Sequence, residues 1–343
     1  MKRPTMADIA RRAGVSKVAV SYALNDQPGV SETTRAAIKA IAEELGWRPN
    51  SAARALTGGR AQAVGLTVRR PARTLGLEPF FMEFISGVET VLAERSYALM
   101  LQMAGDQEQE IEVCRRWWGE RRVDGVFLMD LRTEDERVGA VREIGLPAVA
   151  IGPPEVAGEL PAVWSDDGES VHEIVRYLAA LGHRRIARVA GPAELAHTAV
   201  RDAALAEACR EAGLPAAAVV HTDYTGDAGA RAARALLIAP ERPTALVFDN
   251  DIMAVAALSV AQELGLSIPA DVSVVAWDES PLTQVVRPTL SAVTRDIAAY
   301  GARSATALLA LIDGEDVGSL RDGYAHFVPR ASTAPPSREP GPR

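Results

Sequence analysis

Lys17, Val18, Ser21 and Tyr22 place an ammonium group, an apolar surface, a hydroxyl and a phenol within six consecutive positions. At helical spacing they share the outer side of a short amphipathic pattern, while Val20 and Leu24 face the other way. Such side chains, projecting from one helix, suit contact with phosphates and base edges in a DNA major groove. Positioning them takes a second helix. Ile9, Ala10, Ala13 and Val15 are spaced to pack against Val20 and Leu24. Between the two helices, Gly14 can take the positive φ of a tight helix exit, and Ser16 can cap the following N-terminus. This is the layout of a helix-turn-helix. An ordinary helical hairpin in a small core fits the same twenty residues.

Charge separates the two readings. Residues 1–60 hold ten Lys/Arg against five Asp/Glu, whereas the remaining 283 hold 27 against 40. A basic head on an acidic body suits phosphate binding confined to the head. After a turn at Asp26–Gly29, Ser31 caps a third helix from about Glu32 to Leu45. Its apolar face is expected from Ala36, Ala37, Ile38, Ala40, Ile41 and Leu45, and Gly46 ends it. Asn50 then opens a short helical stretch through Leu56, closed by Gly58-Gly59. So short a helix needs a packing partner to form, and a plain linker is its alternative. Residues 1–49 are thus read as an all-α helix-turn-helix domain and 50–61 as hinge helix and linker.

From Ala63 the pattern changes. Short apolar runs such as Val64–Val68, Val123–Met129 and Ala148–Ile151 alternate with amphipathic helical stretches. After the Pro/Gly-rich segment Gly152–Pro161 a second set follows, with runs at Ile186–Ala190, Ala245–Phe248 and Val272–Ala276. Continuous apolar strands between helices mean parallel sheets covered on both faces. Two doubly wound α/β sub-domains with a cleft between them are expected. Their predicted extents are about 62–162 plus 291–318, and about 163–290 plus 319–332. The Pro-rich tail 333–343 is read as disordered.

Motifs for catalysis are missing. No Gly-x-Gly-x-x-Gly follows a strand, and the sequence contains no P-loop, nucleophile elbow or His-Glu-x-x-His. The five histidines lack metal-ligand spacing, and His183 is read as a helix-exit residue. Cys114 and Cys209 make neither a disulfide framework nor a thiolate site. No metal, cofactor or enzymatic activity is therefore expected. No apolar run is long enough for a membrane span, and the N-terminus lacks a signal-peptide pattern, which places the protein in the cytoplasm.

At several fixed spacings the chain resembles the lactose-repressor/galactose-repressor family of bacterial transcription regulators. In the head the matching blocks are Thr5-Met-Ala-Asp8-Ile-Ala, Ala13-Gly-Val-Ser16, Val20-Ser21, Leu24-Asn25, Val30-Ser31, Leu45–Asn50 and Ala53–Leu56. The resemblance implies base contacts from Lys17, Val18 and Tyr22. It implies phosphate contacts around Thr5, Ser16, Ser21, Asn25, Ser31 and Thr34. It also implies a hinge helix (Asn50, Ala53, Arg54) whose Leu56 wedges a base step apart in the minor groove. Tyr22 stands where many members carry Arg and cannot make the bidentate guanine contact, so the operator is not legible from relatives.

The body resembles the family's periplasmic-binding-protein-like effector domain through Val64-Gly65-Leu66, Pro79-Phe80-Phe81, Leu181–Ile186, Asn250–Ala254, Trp277-Asp278 and Pro288–Leu290. The resemblance implies a small molecule, such as a sugar, in the cleft. Arg201, Asn250 and Asp278 would hydrogen-bond it and Tyr224 would stack on it, with Phe80, His197 and Trp277 as further contacts. Pairing of Arg201 with Asp202, a turn cap at Asp278 and a core role for Phe80 are the alternatives. Glu78, Ala204, Asp249 and the loop Arg69–Leu77 depart from the usual pattern near the cleft mouth. The expectation is a dimeric regulator, of repressor type, on a near-palindromic double-stranded operator and controlled by a small-molecule effector. A small-molecule binding protein with no DNA role is the alternative.

Overall fold

The apolar runs read from the sequence are the inner strands of two sheets. A computed structural model describes residues 4–47, 59–70 and 78–337. The chain divides into two units, Met1–Ala61 and Gln62–Arg343, each described by itself.

In the first unit, α1 (Met6–Ala13) stops at Gly14, whose φ of 68° is open to glycine at no steric cost. Ser16 Oγ accepts the Ala19 amide at 3.1 Å to start α2 (Lys17–Leu24). Ser31 Oγ accepts the Thr34 amide at 3.3 Å to start α3 (Glu32–Glu44). Ile9, Val20, Ala23 and Ile38 are fully buried between the three helices, with Ala10 and Ala42 beside them. Ala36, Ala37 and Ala40, expected on the apolar face of α3, are exposed. The core-facing phase of that helix runs through Ile38, Ile41, Ala42 and Leu45, which puts those alanines on the far side. Arg35 fixes the turn before α3 by donating to the carbonyls of Tyr22, Ala23 and Gln27.

The second unit holds two six-stranded sheets. The first has the order β11-β5-β4-β3-β1-β2, with β1 at Ala63–Val68, β2 at Ala98–Met103, β3 at Gly125–Leu128, β4 at Ala148–Ile151, β5 at Ala162–Trp164 and β11 at Leu320–Arg321. The second has the order β12-β10-β9-β8-β6-β7, from β6 (Ile186–Ala190), β7 (Ala218–His221), β8 (Ala245–Phe248), β9 (Ser273–Ala276), β10 (Ser291–Thr294) and β12 (His326–Val328). All pairings are parallel except β10 with β12. Helices cover both faces, so β1, β3, β4, β6, β8 and β9 are buried throughout. On the first sheet, α4 (Pro79–Glu94) and the long helix Ile297–Ile312 approach at two glycines. A Cβ at Gly87 would lie 1.8 Å from the Ala298 carbonyl oxygen, and one at Gly301 would lie 2.2 Å from that of Phe84.

Three expectations need correction. Strand β10 belongs to the second sheet, against the expectation that 291–318 lies in the first sub-domain. Strands β5 and β11 both pair in the first sheet, against the expectation that the second sub-domain's segments start at 163 and 319. These strands have two to four residues, too few to show a period, and backbone pairing with distant partners decides their sheet. The tail is also ordered further than expected. Thr333 Oγ1 bonds Tyr177 Oη at 3.0 Å and Ser291 Oγ at 2.8 Å, and the Ala334 carbonyl accepts from His183 Nε2 at 3.0 Å. Hydrogen bonds to the second sub-domain therefore hold the segment through Ser337, and residues 338–343 lie outside the described set. No described helix is long and apolar enough to cross a membrane.

Candidate functional site

On the first unit, α2 carries its outer face in the open. Val18 is 60% exposed and Tyr22 is 39% exposed, so both side chains are open to a partner. Lys17 and Asn25 are exposed, and Ser21 is half-buried. Ser16, Ser31 and Thr5 are tied to helix starts. Thr5 Oγ1 donates to Asp8 Oδ2 at 2.6 Å, and Thr34 Oγ1 lies 2.8 Å from Ser31 Oγ. The structure thus brings the expected head residues onto one unit. Asn50, Ala53, Arg54 and Leu56 lie outside the described residues, as do residues 71–77.

On the second unit, the C-terminal ends of both sheets face each other across a cavity of about 360 Å³. Ligands of doubly wound folds sit at such strand ends. Asp130 follows β3, Gly152 follows β4, Asp167 follows β5, Asp249 to Asp251 follow β8, Asp278 follows β9 and Arg295 follows β10. Phe80, Trp164, Ile297 and Tyr300 supply apolar surface. A second hollow of about 650 Å³ shares Arg70, Phe81, Met129 and Asp130 with the first as a common wall.

Of the expected effector residues, Phe80, His197, Arg201, Tyr224, Asn250 and Asp278 line the cavity and Trp277 does not. Trp277 is fully buried in the second sub-domain's core, and the Arg201 guanidinium lies 3.8 Å from its ring centroid. Its place is behind the arginine. Arg201 faces inward, away from Asp202, which pairs with Arg188 and His221. Arg201 Nε and Nη2 both reach Asp167 Oδ2, at 2.8 and 2.6 Å, and Nη1 lies 3.7 Å from Asp249 Oδ2. Burial alone would raise both carboxyls. Arg201 followed by Arg295 at Asp167, and Arg188 followed by Arg201 at Asp249, together lead the opposing effects, so both stay below the usual carboxylate range.

Tyr224 lies in the cavity wall at a φ of 67°, and its ring is already covered by Arg70 at 5.0 Å. The stacking face expected for a ligand is thus occupied by a protein side chain. Its hydroxyl lies 2.7 Å from His197 Nε2. Burial, with Arg201 nearby, pushes the His197 imidazole down to about 4, so it is neutral at pH 7. Asn250 works largely for the fold. Its Nδ2 donates to the Tyr224 carbonyl and its Oδ1 accepts the Met253 amide, each at 2.9 Å.

Sequence reasoning missed Asp130, Asp167 and Arg295, and noted Glu78, Asp249 and the segment that holds Arg70 only as departures. Arg70 pairs with Asp130 at 3.0 Å and with Glu78 at 3.5 Å. Burial raises the Glu78 carboxyl to about 7; Arg70 opposes the shift but is shared with Asp130. Arg295 Nε lies 3.3 Å from Asp278 Oδ1. A surplus of charged residues just past apolar strands was the available signal, since solvent alone does not call for charge at strand ends. Among the described residues, no His/Cys/Asp/Glu group could hold a metal ion.

A head of helix-turn-helix build and a two-sub-domain body with a ligand-sized cavity define the class of ligand-responsive DNA-binding regulators. Comparison with known proteins makes the assignment specific. A family profile described as "Bacterial regulatory proteins, lacI family" matches residues 5–50, and one described as "Periplasmic binding protein-like domain" matches 175–333. The HTH-type transcriptional regulator CelR of Thermobifida fusca is 33% identical over 93% of this chain and 95% of its own length. A solved CelR–cellobiose complex is 30% identical, with a TM-score of 0.73, over 96% of this chain and 100% of that one. The lac repressor dimer bound to operator and the anti-inducer ONPF is 25% identical, with a TM-score of 0.83, over 97% of this chain and 100% of that one. The chain belongs to the lacI family of bacterial transcriptional regulators.

Proposed function

We propose that this regulator is a homodimeric repressor, and not a catalyst, acting in the cytoplasm on a near-palindromic operator. Each head reads a half-site through Lys17, Val18, Ser21 and Tyr22, with Leu56 as the minor-groove wedge. A small uncharged metabolite such as a sugar, held in the cavity between the sheets, sets operator affinity. The observation that carries this reading is the cavity, framed by groups from both sub-domains so that a ligand there biases their closure. The cellobiose in the CelR complex supports the choice of ligand class.

Selection of random duplexes by the full chain, followed by gel shifts across a salt series, tests the reading. Enrichment of an inverted repeat is expected, with affinity falling steeply as salt rises. A chain that enriches no sequence and binds DNA without salt dependence has no operator. Leu56→Ala should weaken binding to the selected duplex while leaving sugar affinity intact.

A further inference from the structure

Strand β6 reads Ile-Ala-Arg-Val-Ala, and its one charged residue, Arg188, is 1% exposed. A guanidinium in the middle of a parallel sheet gives up its hydration, and it stays charged only if partners replace that hydration. Arg188 Nε and Nη2 donate to the two oxygens of Asp249, at 2.7 and 2.6 Å, and Nη1 donates to Asp202 Oδ1. Asp249 follows β8 and lines the cavity, whereas Arg188 lies behind it, outside the lining. Asp249 is also one of the positions where the chain departs from the family pattern.

The two partners of Arg188 flank Arg201. Asp202 is the next residue along the helix Ala196–Glu211, and Asp249 Oδ2 stands 3.7 Å from Arg201 Nη1. That distance is too long for a hydrogen bond. Asp249 itself supplies the reason. Its Oδ2, the oxygen nearest Arg201, already accepts from Arg188 Nη2 and from the Gly191 amide at 3.1 Å, so both lone-pair directions are filled. Arg201 therefore commits Nε and Nη2 to Asp167. Its Nη1 has no carboxylate at hydrogen-bond distance among the described residues.

We propose that Arg188 is a positioning residue for the cavity: by saturating Asp249 it keeps Arg201 Nη1 available to donate to a bound ligand. This rests on the cavity being the effector site. Without Arg188, Asp249 is a buried carboxylate left with the Gly191 amide, and the cation nearest to it is Arg201. The two then close into a direct pair, which stabilises the carboxylate and removes the donor from the ligand.

Crystal structures and calorimetric titrations of Arg188→Met and of Arg188→Met with Asp249→Ala, both in the full chain, test this. The probe is whichever of cellobiose, maltose, trehalose and glucose raises the Tm of the natural protein. In Arg188→Met, Arg201 Nη1 should come within hydrogen-bond distance of Asp249, and sugar affinity should fall about ten-fold or more, the loss of one hydrogen bond to a charged group. The double variant has no carboxylate at 249 to capture Arg201. Most of the affinity should return in it, although its stability in urea stays below that of the natural protein. A merely structural role predicts affinity that follows stability, with the double variant no better than the single one, and that result overturns the proposal. So does an Arg201–Asp249 separation that stays near 3.7 Å in Arg188→Met. Should Arg188→Met fail to fold, the double variant decides: near-natural affinity supports the proposal and lost binding overturns it. Silence from all four sugars removes the effector reading instead, and the Arg201–Asp249 separation then decides the positioning claim alone.

Discussion

Arg201 lies with its guanidinium 3.8 Å from the Trp277 ring centroid while Nε and Nη2 converge on a single oxygen of Asp167. The indole face holds the fork flat, and the fork holds the start of the helix Asp167–Ala180 against the second sub-domain.

Removing that fork leaves Asp167 buried without its main partner. Arg201→Ala is expected to cost about 3–5 kcal/mol of unfolding free energy. Lysine recovers only part, since an ammonium group cannot present two fixed donors. Urea denaturation reads the difference, and a loss under about 1 kcal/mol would show that the pair contributes little.

Glu78 gives a pH signature. Its carboxyl rises on folding from an ordinary value of 4.5 to about 7, so the folded state favours the protonated form. That contribution is full below pH 4.5 and is lost as pH rises to 7. Relative to Glu78→Gln, the natural protein should therefore lose Tm across this window and run parallel above it. His197, lowered to about 4, acts in the opposite sense, but it is common to both proteins and cancels in the comparison. Parallel curves from pH 4.5 to 7 would show that Glu78 titrates normally.

Gly87 tests the packing of α4 on its neighbour. An exposed helical glycine gains stability on change to alanine, but here the new Cβ would meet the Ala298 carbonyl oxygen at 1.8 Å. Gly87→Ala should cost about 1–3 kcal/mol or more through forced separation of the two helices. A rise in Tm would mean that they can part freely.

Val18 separates recognition from folding. At 60% exposure its truncation to alanine should change stability by no more than about 0.5 kcal/mol. The sequences selected from random duplexes should nevertheless change at one position in each half-site, where an apolar side chain meets a thymine methyl. An unchanged profile would take Val18 out of the interface.

Legibility followed the range of the forces involved. Strands β4, β6 and β8 end at the residues the apolar runs indicated, because Pro, Gly and charged residues bound them locally. Ser16 and Ser31 were readable as caps for the same reason: a cap is satisfied within three residues. The crossing strands β5, β10, β11 and β12 were not, since their sheet depends on partners far along the chain. The cavity divides similarly. Arg201 and Asp278 were legible by family resemblance, whereas the pairs that fix their chemistry, Arg201–Asp167 and Arg295–Asp278, join segments 34 and 17 positions apart with no local pattern between them. Trp277 carried an aromatic signal that burial behind Arg201 turned to another use.

The chain passes from one sub-domain to the other three times: between β5 and the helix after it, between β10 and the helix Ile297–Ile312, and between β11 and β12. Three covalent crossings restrain the two sub-domains more than a single linker would. The segment that leads back to the head departs from β1, in the first sub-domain only. Mechanically, the second sub-domain is a lever with no covalent tie of its own to the DNA-reading unit. A shift of the second sub-domain has a covalent route to the head only through the first sheet, from which β1 is reached.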